Sequence, residues 1–265
     1  MVGASWASFC TTDSRPLRTS LASVERLLHY RNMLLRAGTS GFSYKEWKGP
    51  FYPEKLPNEG MLGYYAERLS TVEINNTFYR MPKRDVLERW ASQVPDDFVF
   101  VLKASRRITH HARLKESSFD SLAYLWGVAT ALGPHLGPIL FQLPPNAKKN
   151  VERLVAFMAA LPEGLRAAFE FRHESWFDDD VYEALLDGGH ALCLADTDDS
   201  DAPNLVRTAD WGYLRLRRED YDDEALRAWL DAIESKSWRE CFAFFKHEDE
   251  GAAPRLATRL LALYG

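Results

Sequence analysis

From Arg36 to the C-terminus, short runs of β-branched and aromatic residues alternate with stretches of amphipathic helical period. That rhythm demands βαβ units and a parallel sheet. Eight runs read as strands: residues 36–41, 71–76, 98–104, 137–143, 167–172, 191–196, 212–217 and 241–246. Between them, 59–69 carries Met61, Leu62, Tyr65 and Leu69 at helical spacing, and 84–93 puts Val86, Leu87 and Trp90 on one face. Asn150 reads as the cap of a helix over 151–161, with Leu154, Val155 and Met158 inward. Further helices are expected over 117–132, 178–187 (stopped by Gly188 and Gly189), 222–234 and 253–263, while 197–210 is irregular.

Eight βα repeats fit an open doubly wound sheet or a closed barrel, and eight is the barrel's number. Neither GxGxxG nor GxxxxGK[ST] occurs, so the usual reason for an open nucleotide-binding sheet is missing. The expectation is a single (β/α)8 TIM-like barrel over residues 34–265. Residues 1–33 are rich in Ser, Thr and Arg, mildly like a transit peptide, and are expected to be a poorly ordered or non-native extension with Met33 as an alternative start.

The net charge of −5 over 265 residues argues against a global field that recruits nucleic acid. Locally, Arg106, Arg107, Arg113 and Lys115 cluster in one loop. Cys10, Cys193 and Cys241 are odd in number and widely spaced, which favours packed thiols in the cytoplasm over disulfides or zinc. No apolar run approaches the roughly 18 residues needed to span a bilayer.

Functional side chains of a barrel come from the C-terminal strand ends. Here those ends carry Ser40, Glu73 with Asn75, Lys103, Gln142, Glu170 with Arg172, Asp196, Arg215 with Arg217, and Lys246. Residues two apart on a strand share a face, so Glu73 points with Asn75, Glu170 with Arg172, and Arg215 with Arg217. So many charges in one cavity must pair, stay wet or bind something; Glu170 with Arg172 or Lys103 is the obvious internal pair. His110, in the loop after the third strand, adds a group that titrates near neutrality. A divalent metal held by His110, Glu170 and Asp196 is conceivable, although no HxH, HExxH or cysteine pair supplies ligand spacing. Trp47 and Tyr52 in the first loop are stacking platforms or loop anchors.

The blocks GTSGFSYKEWKGPFYP, VEINNTFYRMP, FVFVLKASRRITH, GPILFQLPP and FEFRHESW, in this order, resemble the YecE-like family, domain of unknown function 72. The resemblance runs from about Arg36 to the C-terminus. It implies an α/β barrel and brings no assigned reaction. It covers Ser40, Trp47, Glu73, Asn75, Phe78, Lys103, Thr109, His110, Gln142, Glu170, Arg172, Trp176, Asp196 and Arg215. The chain departs from the family pattern at Arg217-Arg218 and at Phe245-Lys246-His247.

The pocket therefore predicts an enzyme, a hydrolase or isomerase, that acts on a small phosphorylated or carboxylated metabolite. Glu73, His110, Glu170 and Asp196 are the acid/base candidates, with Glu73 or Glu170 as base and His110 as acid. Ser40, Asn75, Lys103, Gln142, Arg172, Arg215 and Lys246 are expected to bind the substrate. The alternatives are a non-catalytic small-molecule binding module and, on the strength of the basic loop alone, a nucleic-acid-processing protein.

Overall fold

The structure, a computed structural model, describes residues 33–198, 204–246 and 249–265. The N-terminal extension with Cys10, the end of the irregular segment's acidic stretch, and His247 lie outside the described residues. Eight parallel strands close into a barrel in chain order: β1 (Leu34–Ser40), β2 (Thr71–Ile74), β3 (Val99–Lys103), β4 (Leu136–Gln142), β5 (Ala167–Glu170), β6 (Ala191–Asp196), β7 (Trp211–Leu216) and β8 (Glu240–Phe245). Closure is made by β8 against β1, in register from Leu34 with Glu240 to Thr39 with Phe245.

Seven of the strands end one or two residues earlier than the hydrophobic pattern predicts. Several of the residues beyond keep a single ladder bond as the barrel opens, for example Leu143 N–H to Glu170 O at 2.9 Å and Arg217 N–H to Asp196 O at 2.9 Å. The outer ring comprises α1 (Met61–Ala66), α2 (Asn76–Tyr79), α3 (Arg84–Ala91), α4 (Phe119–Ala129), α5 (Val151–Ala159), α6 (Asp179–Asp187), α7 (Asp223–Glu234) and α8 (Ala252–Tyr264). Caps fix several starts: Asn150 Oδ1 accepts from Arg153 N at 2.7 Å, and Asp222 Oδ1 from Ala225 N at 2.8 Å. Helix α6 stops at Asp187, where Gly189 takes a left-handed φ of 65°. On α5 the buried face is Leu154 with Phe157, and Val155 is exposed, contrary to the sequence expectation. Among the described residues no helix is long and apolar enough to cross a membrane.

Side-chain parity divides the sheet into two faces. Outward residues such as Val72, Leu102 and Phe245 pack against Leu62, Leu87 and Leu260, while Phe141 and Phe169 pack against Leu154 and Phe157. The inward set includes Val101, Leu140, Ala168, Cys193, Tyr213, Phe242 and Phe244, a dry middle layer. Below it, near the strand starts, Glu240 accepts from Arg36 Nε at 2.6 Å and from Arg166 Nη1 at 2.8 Å. The Arg166 guanidinium also lies 4.4 Å from the Trp211 ring centroid. This plug closes the bottom of the barrel.

The junction of β1 and β2 tolerates no side chain at Gly38, where a Cβ would lie 2.2 Å from Thr71 O. Gly38→Ala is expected to cost about 1–3 kcal/mol or more, because backbone has to shift to admit one methyl group. Urea unfolding checks this, and an unchanged midpoint would refute the close approach.

Candidate active site

The inward parity that builds the apolar layer continues upward into a polar one. Arg215 on β7 lies one inward step above Tyr213 and is 2% exposed. A buried guanidinium needs anions, and two strands supply them. Arg215 Nη2 donates to Glu73 Oε1 of β2 at 2.9 Å, and Nη1 to Glu170 Oε2 of β5 at 2.7 Å. The planar fork of arginine suits this double pairing, which the point charge of lysine does not.

Each carboxylate is braced further. Glu73 Oε1 accepts from Ser40 Oγ at 2.8 Å and Asn75 Nδ2 at 3.0 Å, and Oε2 from the Tyr213 hydroxyl at 2.7 Å. Glu170 Oε1 accepts from Gln142 Nε2 at 2.6 Å and Arg172 Nε at 3.2 Å. Burial alone would raise both carboxyls. Arg215 outweighs it only together with its neighbours, Tyr213 at Glu73 and Arg172 at Glu170 among them, so Glu73 is lowered and Glu170 falls to about 2. Both are fixed anions at neutral pH and poor bases.

Cations outnumber these acids at the mouth. Lys103 ends β3 half-buried, with Nζ 4.5 Å from the Phe78 ring centroid and no carboxylate at ion-pair distance among the described residues. Burial, then Arg215, lowers its pKa to about 8 despite Glu73 and Glu170. Arg217 continues the Arg215 face, and its Nε is buried without a hydrogen-bond partner among the described residues, as is Arg215 Nε. His110 stands edge-on to Phe78, ring centroids 4.8 Å apart, with Nδ1 3.0 Å from Thr109 Oγ1. Its pKa is lowered by burial and then by Lys103, which keeps the imidazole neutral.

The sequence-predicted residues thus divide. Ser40, Glu73, Asn75, Gln142, Glu170, Arg172 and Arg215 form one network, and Lys103 and His110 adjoin it. Asp196 stands apart from it. On β6 the inward residues are Ala191 and Cys193, so Asp196 takes the opposite parity and accepts from Arg218 Nε and the Tyr221 hydroxyl, both at 2.8 Å. Lys246 follows β8 exposed, its N–H bonded to Leu216 O at 3.2 Å. His110, Glu170 and Asp196 do not converge, and no three His, Cys, Asp or Glu among the described residues group as metal ligands. Trp47 and Tyr52 are fully buried in an aromatic cluster with Tyr44, Phe51 and Tyr64, which makes them loop anchors. Sequence reasoning missed Tyr213 as part of the site, and it named Phe78 only among the positions that the family resemblance covers. Parity with Arg215 was a sufficient signal for Tyr213.

Arg215→Ala would leave two carboxylates buried without their shared cation, a loss of about 3–5 kcal/mol near neutral pH. In the native protein Glu170 is depressed from 4.5 to about 2, so its stabilisation is full above about 4.5 and lost as pH falls through about 2. In the variant, burial acts with Arg215 gone and both carboxyls titrate upward. The deficit should therefore shrink between about pH 7 and about pH 5 as they take up protons. Urea unfolding at the two pH values checks this; a pH-independent deficit would sink the account.

The architecture has known relatives. A family model described as "Protein of unknown function DUF72" matches residues 36–265. The UPF0759 protein YunF of Bacillus subtilis is 26% identical over 214 residues, 75% of this chain and 74% of that one. The UPF0759 protein YecE of Escherichia coli K12 is 32% identical over 126 residues, 47% of this chain and 46% of that one. The crystal structure of a DUF72 family protein from Thermotoga maritima superposes with a TM-score of 0.77 at 26% identity, over 86% of this chain and 98% of that one. With the barrel and the matched span both in hand, this chain belongs to the DUF72 family.

Proposed function

We propose that the barrel mouth is an enzyme active site for a small anionic metabolite, phosphorylated or carboxylated, and that it works by proton transfer. The observation that carries this reading is the cation surplus. Glu73 and Glu170 are both engaged by Arg215, while Lys103 and Arg217 sit partly buried at the same mouth with no carboxylate at ion-pair distance among the described residues. Holding cations out of water beside one another is unfavourable, and a bound anion relieves that cost. In this reading Arg172, Arg217 and Lys103 bind the anion. His110, neutral, accepts a proton, and Lys103 can donate one. Glu73 and Glu170 hold Arg215 in place rather than act as bases, because their pKa values are depressed. Free buried thiols at Cys193 and Cys241 support a reducing, cytoplasmic setting.

A second reading has its own observation. A groove of about 800 Å³ on the rim is lined by Arg80, Lys83 and Arg107 with the exposed rings of Tyr79 and Tyr124. Basic side chains interleaved with open aromatics suit a single-stranded nucleic acid. Binding of a fluorescent oligonucleotide that weakens steeply with salt would support it, and no binding at low salt would remove it.

The primary reading is tested by thermal shift with sugar phosphates, dicarboxylates and inorganic phosphate. At about a hundred times Kd, a bound anion should stabilise the fold by about 2.7 kcal/mol. Arg172→Ala, at a side chain one-third exposed, should abolish the shift without unfolding the protein. No shift with any anion would refute the anion site.

A further inference from the structure

The cations at the mouth differ in what they can become. Arg215 is held by two carboxylates, Arg172 by Glu170, and Arg218 by Asp196. Arginine cannot lose its proton in a protein, so these groups can only attract. Lys103 can lose one. Its amine is half-buried, without a carboxylate at ion-pair distance among the described residues, and with Arg215 and Arg172 raising the local potential, which the face of the Phe78 ring offsets only in part. A lysine that served only to hold an anion would do so best fully charged. This placement instead works against its charge, which is how proteins generate a nucleophilic amine near neutral pH.

The rest of the mouth supplies what such an amine needs. Arg172 and Arg217 stand ready for a carboxylate or phosphate on the same ligand. His110 shares the Phe78 ring with Lys103, from the other contact of that ring, and its neutral imidazole can carry protons. We propose that Lys103 is the nucleophile of this site and that the substrate is an anionic aldehyde or ketone, bound as an imine on Nζ. This rests on the anion-site reading above.

The step balances without any further reagent. Neutral Nζ adds its lone pair to the carbonyl carbon, a C–N bond forms, and the carbonyl oxygen is left as a hydroxyl once a nitrogen proton has moved to it. The second nitrogen proton then leaves with that hydroxyl as water, and the nitrogen lone pair closes the C=N bond. One proton taken from solvent makes the iminium, an electron sink for deprotonation or bond cleavage at the adjacent carbon. His110 is placed to relay these protons.

The test uses the full chain with pyruvate and glycolaldehyde phosphate as charged probes, acetone as an uncharged one, and sodium cyanoborohydride to reduce any imine. Peptide mass mapping locates the adduct. The expected result is one adduct per chain, on Lys103, at about tenfold or more over any other lysine because of its larger neutral fraction. It should be absent in Lys103→Arg, which keeps the charge and should still be stabilised by the probes. Because the position is read in the native protein, the result does not depend on the variant folding. If the charged probes raise Tm but label lysines evenly or not at all, the imine is overturned and the anion site stands. If acetone labels Lys103 as well as pyruvate does, the anionic part of the substrate assignment is overturned. If no charged probe raises Tm and none labels Lys103, both readings fall.

Discussion

The structure depends on a single guanidinium. Arg215 lies inside a barrel whose middle layer is apolar, and its charge is tolerable there only because two carboxylates reach it from opposite parts of the sheet. Those carboxylates in turn are satisfied by Ser40, Asn75, Tyr213, Gln142 and Arg172. The network therefore draws residues from β1, β2, β4, β5 and β7 or the turns just after them, and ties five of eight strands at the mouth. Its members are mutually necessary. Removing any one exposes a buried charge or a buried donor, a larger cost than the loss of an ordinary hydrogen bond.

That dependence fixes what the acids can do. A glutamate whose pKa is held near 2 by arginine is a permanent countercharge. Proton chemistry at neutral pH falls instead to groups whose burial is not offset by an ion pair. At this mouth the described candidates are Lys103 and His110, and both are pushed toward neutrality by desolvation and by neighbouring cations. In the function proposed here, the roles that residue type alone suggests, carboxylates as bases and lysine as binder, are redistributed on that ground.

Much of this was legible in the sequence. The βα rhythm gave the barrel, and period two correctly paired Glu73 with Asn75 and Glu170 with Arg172. What the sequence could not reveal was the bridge between them. Arg215 meets Glu73 across 142 positions of chain, and only barrel closure brings β7 and β2 within reach of each other across the barrel interior. Asp196 lies outside the network for a simpler reason. It ends a strand as the others do, but Cys193 sets the inward parity of β6, so Asp196 faces Tyr221 instead. The inward expectation for Val155 failed, since the apolar stripe of α5 is centred on Leu154 and Phe157 and leaves a neighbouring valine exposed.

The floor of the same barrel makes the mouth's polarity informative. Arg36, Arg166 and Glu240 also give more positive than negative charge, so a cation surplus by itself identifies nothing. The difference is satisfaction. At the floor both arginines pair with Glu240, and Arg166 also lies over the faces of Trp211 and Phe242. At the mouth Lys103 has a ring but no anion, and buried nitrogens of Arg215 and Arg217 lack acceptors among the described residues. A purely structural cluster would be expected to complete its pairs at both ends, since each incomplete one costs stability. Orphaned buried nitrogens also occur beside the strand starts, at His190 Nδ1 and Trp238 Nε1, but the cationic ones among the described residues, Arg215 Nε and Arg217 Nε, lie at the C-terminal end, where barrel sites are built.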